Sequence, residues 1–347
     1  MLDGYCEQIE RANQARDGAA LQAAVEGLWG AAQQADVAEL DAVLPRLCGL
    51  LGDLPTGPGG HVATLAGAMV ERGADAEPMA GPVGEGLAEC LEAALAFVGL
   101  WRQIHGADAE LPDPEGDIVE HAMDTLLASG IPEIEQFAFL AVSGWISLPI
   151  WERPALACLQ RKTGRAGFGR RDDISAYLEQ LGEVYDLHWV AGLLAVLDDE
   201  TLIVLHRETG RGYQVTVGGI GDNFQLHTLL AATLSGPAAD GLLPDVRPTD
   251  GWISAATTGD VYPPDGPVAG QFNLVDAYGK WIWNEGTPAD IPALGDHRVV
   301  VLDPPPYHRT WNIGRQYPMM APSMRLDRVL PADEAGAWLG KVLPAGE

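Results

Sequence analysis

The sequence predicts an all-helical N-terminal domain followed by a mixed α+β domain with a mainly antiparallel sheet. Three observations predict it. Apolar residues recur at helical spacing from about residue 5 to residue 162. Short alternating or β-branched stretches replace them after about residue 189. Between them lies residues 161–171 (RKTGRAGFGRR), with five basic residues, three glycines and no acid, the sharpest change of composition in the chain. The expected organisation is a helical domain over 1–160, a basic Gly-rich linker over 161–171 and an α+β domain over 172–347. A chain of 347 residues suits two domains of ordinary size.

In the first half, Leu21, Val25, Leu28 and Trp29 mark one helix, and Leu40, Val43, Leu44, Leu47, Leu50 and Leu51 mark another. Asp36 or Asp41 is the candidate cap of the second, and Pro45 falls near its start or kinks it. Residues 54–60 (LPTGPGG) predict a break. Further helices are expected over 61–72, closed by Gly73, and over 82–104, where Val83, Leu87, Cys90, Leu91, Ala94, Leu95 and Val98 form one stripe. Residues 107–117 form an acidic, proline-bearing loop. Helices over 118–129, 131–147 and 154–162 complete the half. Helix pairs separated by Gly/Pro turns fit an irregular bundle or α-solenoid-like pairs of about forty residues. No residue signature repeats.

The second half opens on a helix over 172–181, capped by Asp172 or Asp173. Residues 189–197, 201–206 and 212–217 read as strands joined by turns at 198–200 and 207–211. Leu202, Val204 and His206 share one face of their strand, as do Tyr213, Val215 and Val217 of the next. A glycine-rich turn (Gly218-Gly-Ile-Gly-Asp-Asn) leads into a helix over 223–234. A long loop then runs to about residue 270, with the apolar stretch 252–256 inside it. Residues 271–275 and 280–283 form a hairpin over Asp276-Ala-Tyr-Gly, with Trp281 and Trp283 on one face and Ile282 on the other. Residues 298–302 (RVVVL) are a buried strand, stopped by Pro304. An edge strand over 324–330 and a closing helix over 332–343 end the chain. Strands and helices without regular alternation argue α+β.

The net charge is −28, distributed as −19 over 1–160, +5 over 161–171 and −14 over 172–347. Such a surface repels phosphate backbones and anionic membranes, and a basic protein partner is the electrostatically easier one. The basic stretch is expected to dock on acidic surface nearby. No basic-then-apolar leader opens the sequence and no apolar run is long enough to span a bilayer, so the cytoplasm is the expected location. Cys6, Cys48, Cys90 and Cys158 contain no CxxC pair, so free buried thiols in a reducing compartment are expected. Neither a metal nor a cofactor is expected. The acidic loop lacks the ligand order of a calcium loop, because counting from Asp113 places Gly116 fourth rather than sixth.

Three groups of residues bear on function. Gly219 and Gly221 lie where a strand meets a helix N-terminus, a junction that holds anions, although Phe224 stands where a dinucleotide-binding turn has its third glycine. A capped turn is the plainer reading. His206, His227 and His308 are the candidate catalytic histidines, with Glu208 or Asp222 as carboxylate partners; ordinary hydrogen-bonded histidines are the alternative. Trp281, Trp283, Tyr307, Arg309, Trp311 and Arg315 form the richest aromatic and basic collection, suited to a small anionic ligand or a protein partner, or else to core packing. No nucleophile elbow appears. The expectation is a non-enzymatic binding or regulatory protein, a helical scaffold carrying an α+β recognition domain. An enzyme with a histidine acid–base or metal site is the alternative, and an acidic inhibitor or immunity-type protein for a basic partner is the second.

Overall fold

The computed structural model describes residues 2–116, 119–130, 132–182, 184–259, 266–312 and 314–346. The chain divides into two compact units, Met1–Leu194 and Ala195–Glu347.

The first unit is helical: α1 (Leu2–Ala15), α2 (Gly18–Ala32), α3 (Val37–Gly49), α4 (Thr56–Glu71), α5 (Glu77–His105), α6 (Val119–Leu127), α7 (Pro132–Leu159), α8 (Lys162–Gly167), α9 (Arg171–Leu181) and α10 (His188–Ala195). Asp36 caps α3 in a reciprocal box with Glu39: each carboxylate accepts the other's backbone N–H, at 2.9 and 3.1 Å. Asp41 instead accepts from the Asp75 amide. The long helices α5 and α7 form the centre, and α5 also packs against α3, α4, α8 and α9. A central helix with many neighbours is a bundle; in a solenoid each repeat touches only the next.

Two helix boundaries differ from expectation. The Gly/Pro stretch 54–60 does not break the chain for long, because α4 already starts at Thr56. A Cβ on Gly60 would stand 2.9 Å from Ile150 Cγ2, and one on Gly86 of α5 would run into the Trp151 indole. These glycines make a seat for Trp151, which is buried and donates from Nε1 to the Thr56 carbonyl. The two expected helices over 131–147 and 154–162 are one helix, α7, that runs through Pro149 and Pro154.

The stretch 161–171, expected as a linker, lies inside the first unit and holds α8. Its charges meet the protein in two ways. Arg170 pairs with Asp173 and lies 4.0 Å from Glu85, as the expected docking on acid implies. The guanidinium groups of Arg161, Arg165 and Arg171 donate to the carbonyls of Val70, Leu159 and Arg165.

The apolar run 189–197, expected as a strand, is mostly α10. A continuous apolar run lacks the alternation that separates strand from helix. Here the Asp186 carboxylate accepts the His188 amide and opens the helix.

The second unit contains β1 (Glu200–His206), β2 (Arg211–Gly218), α11 (Asn223–Leu234), α12 (Asp250–Ala256), β3 (Val268–Ala269), β4 (Asn273–Asp276), β5 (Ala293–Leu294), β6 (His297–Asp303), β7 (Thr310–Trp311), β8 (Ser323–Val329) and α13 (Ala332–Leu339). The main sheet has the order β4-β6-β1-β2-β8, with β5 also on β6; β3 pairs with β7 separately. Only β1 and β6 run parallel in the main sheet among the described strands; the rest is antiparallel. Alternation places one set of side chains on each face. Leu202, Val204, Tyr213, Val215, Val300 and Leu302 pack under α11 and α12. Ile203, Leu205, Val299 and Val301 pack on the other face with Ala335 of α13. Residues 299–302 of β6 are therefore buried on both sides, which explains why these four positions are apolar. At the edge, β8 carries Arg325, Asp327 and Arg328, charges that discourage further strand pairing. Among the described residues no helix is long and apolar enough to cross a membrane.

Candidate functional site

The hairpin over 273–283 borders a groove of the second unit. Asp276 begins its turn: the carboxylate Oδ1 accepts the amides of Tyr278 and Lys280 at 2.8 and 2.9 Å. Gly279 adopts φ +81°, and a side chain there would strike the Pro344 carbonyl of the C-terminal segment. The return leg bridges Trp281 to Val275, and the Ile282 amide donates to the Leu274 carbonyl. Period-2 alternation then sends Ile282 into the core and leaves Trp281 and Trp283 on one side. Their ring centroids are 6.2 Å apart, with planes inclined by 57°. Trp281 leans on the core, whereas Trp283 is 69% exposed.

The N-terminus of α11 fixes the segment that follows. Asp222 caps it through the Gln225 amide. The Asn223 amide donates to the carbonyls of Asn284 and Gly286, and the Phe224 amide to that of Asn284. The Asn223 side chain is buried; its Nδ2 donates to the Trp283 carbonyl at 2.9 Å and its Oδ1 accepts no hydrogen bond. After Gly286, Thr287 and Asp290 form a capping box, with the Thr287 amide on Asp290 Oδ2. The outcome is an open groove of about 720 Å³, bordered by Trp281, Trp283, Lys280, Asp276, Asp290 and Asn223. That volume falls within the ~300–1,000 Å³ common for small-molecule sites.

The glycine turn is a capped turn. The Gly219 amide donates to Leu197 O and the Gly221 amide to Gln225 Oε1. With the first amides of α11 also occupied, Gly219 and Gly221 present no free cradle for an anion. Burial pushes the Asp222 carboxyl up to about 6 and Tyr317 up to about 12, the latter with a contribution from Asp222.

The three histidines have separate surroundings. His227 is buried, and its Nε2 accepts the amides of Gln271 and Phe272, both at 3.1 Å. That arrangement assigns the ring proton to Nδ1, which finds no acceptor. Burial, reinforced by Arg309, lowers this imidazole to about 3, so it is neutral and fastens the chain entering β4. His206 pairs through Nδ1 with Thr209 Oγ1 at 2.8 Å, and burial lowers it too. Both rings touch Phe272, one on either contact. His308 is exposed in the loop after β6 and joins neither. Among the described residues no group of three or more His, Cys, Asp or Glu is placed to hold a metal ion.

The aromatic and basic collection also separates. Arg309 donates to the Phe272 carbonyl and lies 6.0 Å over the Trp311 ring. Arg315 donates to the carbonyls of Ala255 and Gly259. Both guanidinium groups thus serve the fold. Trp311 pairs with Val268 in the small sheet and meets His227 edge-on, at 5.0 Å between centroids. Tyr307 is 59% exposed near His308. Of the six, only Trp281 and Trp283 border the groove. Asp290 and Asn223 complete it but lie outside the aromatic and basic stretches; the capping signature Thr287-x-x-Asp290 was the available signal for the first. In comparisons with known proteins, the chain matches no family model, no curated protein and no solved structure.

Proposed function

We propose that the protein is a non-enzymatic binding protein in which the helical unit is scaffold and the groove at Trp281 and Trp283 receives a small ligand. One observation carries this reading. A tryptophan 69% exposed stands beside a second tryptophan, over a groove with polar groups around it. Large aromatic area left in water at a defined concavity is characteristic of recognition surfaces. The arginine part of the expected surface does not enter the proposal, because Arg309 and Arg315 bind their own backbone. The enzyme alternative is the weaker one, since His206 and His227 share only Phe272 as a neighbour, each bonds its own partners and His308 lies apart from both. A reducing cytoplasm as the working compartment accords with four buried free thiols, all pushed above the ordinary cysteine range by burial.

Tryptophan fluorescence titrated with soluble sugars, organic acids and basic peptides tests the proposal. A saturable change in the wild type that vanishes in Trp283→Ala is expected. A change that persists undiminished in Trp283→Ala contradicts it.

A further inference from the structure

We infer that the ligand of this groove is a neutral carbohydrate, an inference that rests on the binding reading above. The rings rule out one binding mode first, the sandwiching of a flat aromatic ligand between them. Indole planes inclined by 57° with centroids 6.2 Å apart form an angled wall. A flat aromatic ligand inserted between two rings needs about 7 Å between parallel faces, two contacts of roughly 3.5 Å. A non-planar aliphatic ring, by contrast, can lay its C–H faces across both indoles.

The polar rim narrows the choice further. Lys280 is an exposed ammonium, a donor only, and Asp290 is an exposed carboxylate, an acceptor only. Asn223 lies at the floor, its Nδ2 held by the Trp283 carbonyl. A cationic ligand would meet Lys280. An anionic one would meet Asp290 and Asp276, in a chain of net charge −28 whose nearby helix amides are already occupied. A hydroxyl both donates and accepts, so a polyhydroxylated neutral ring suits all of these groups at once. The groove volume of about 720 Å³ admits such a ligand.

The full-length protein, fluorescently labelled, is applied to a glycan array of neutral, N-acetylated, uronate-bearing, sialylated and sulfated oligosaccharides. The same chain is titrated in solution with retained neutral oligosaccharides, an arginine-rich peptide and inorganic phosphate. Retention of neutral or N-acetylated glycans is expected, with little on the acidic ones. Trp283→Ala should weaken binding at least about tenfold, and Trp283→Phe should restore part of it. Trp29→Ala, which removes an exposed tryptophan of the helical unit, should leave it unchanged. If the peptide or phosphate binds in a Trp283-dependent manner and no neutral glycan does, the carbohydrate inference is overturned while the groove remains a binding site. If nothing tested gives a Trp283-dependent signal, both are overturned.

Discussion

Trp145 and Trp151 of the helical unit and Trp283 of the second unit are placed in opposite ways. In the helical unit Trp145 and Trp151 are almost wholly buried, and their indole N–H groups donate to the carbonyls of Pro112 and Thr56. Trp145 also stacks on Phe97 at 5.4 Å. In the second unit a hairpin turns Trp283 outward beside Trp281. The same residue type thus fills a core in one place and lines a groove in the other. Backbone periodicity makes the difference. Helices that leave glycine gaps draw a large ring inward, whereas a period-2 leg can bury Ile282 and must then present its neighbours on the opposite side.

That contrast breaks if the two kinds of tryptophan cost the same to remove. Trp151→Ala should destabilise the protein by about 3–5 kcal/mol in urea denaturation, because it empties a packed seat and leaves the Thr56 carbonyl without its donor. Trp283→Ala should change stability by less than about 1 kcal/mol, since most of the ring is already in water.

Acid sharpens the second unit's side of the comparison. Burial lowers His227 to about 3 in the folded protein, from the ordinary 6.5 of an exposed imidazole. Above pH 6.5 both states are neutral and the difference contributes nothing. As pH falls from 6.5 toward 3, only the unfolded chain takes up the proton, so stability falls, at most by about 1.4 kcal/mol per pH unit. Asp222 works the other way between about 6 and 3.8, where the folded protein binds its proton first and gains stability on acidification. Comparison with His227→Gln isolates the histidine: the stability difference between the two proteins at pH 7 should shift against the wild type by pH 4.

The helical side has its own smaller tests. Gly86→Val should cost about 1–3 kcal/mol, because its side chain must displace the Trp151 indole. Asp36→Ala should cost about 1 kcal/mol by removing the capping box of α3. Thermal unfolding followed by far-UV circular dichroism checks both.

Much of the architecture was legible where a local pattern has one solution. The β1–β2 hairpin, the β-branched run of β6, the helix after the glycine turn and the facing of Trp281, Trp283 and Ile282 follow from periodicity and turn chemistry. Errors arose where tertiary packing overrides local signals. Prolines at 149 and 154 did not end α7. The glycines at 59 and 60 serve close packing against α7 rather than a turn. The basic stretch 161–171 has backbone carbonyls waiting for its guanidinium groups, which no composition count can show. The groove was half legible: its tryptophans lie in one short segment, but Asn223 comes from α11, fifty-eight positions before Trp281 in the numbering, and only the fold brings them together.

The most direct test of this division between scaffold and groove uses the ten tryptophans of the full-length chain as separate reporters. Indole N–H resonances are assigned by single substitutions and followed while a neutral oligosaccharide retained on the glycan array is added. The account predicts saturable shifts at Trp281 and Trp283, with Trp101, Trp145 and Trp151 unmoved. Shifts confined to the indoles of the helical unit, with Trp281 and Trp283 silent, would contradict it.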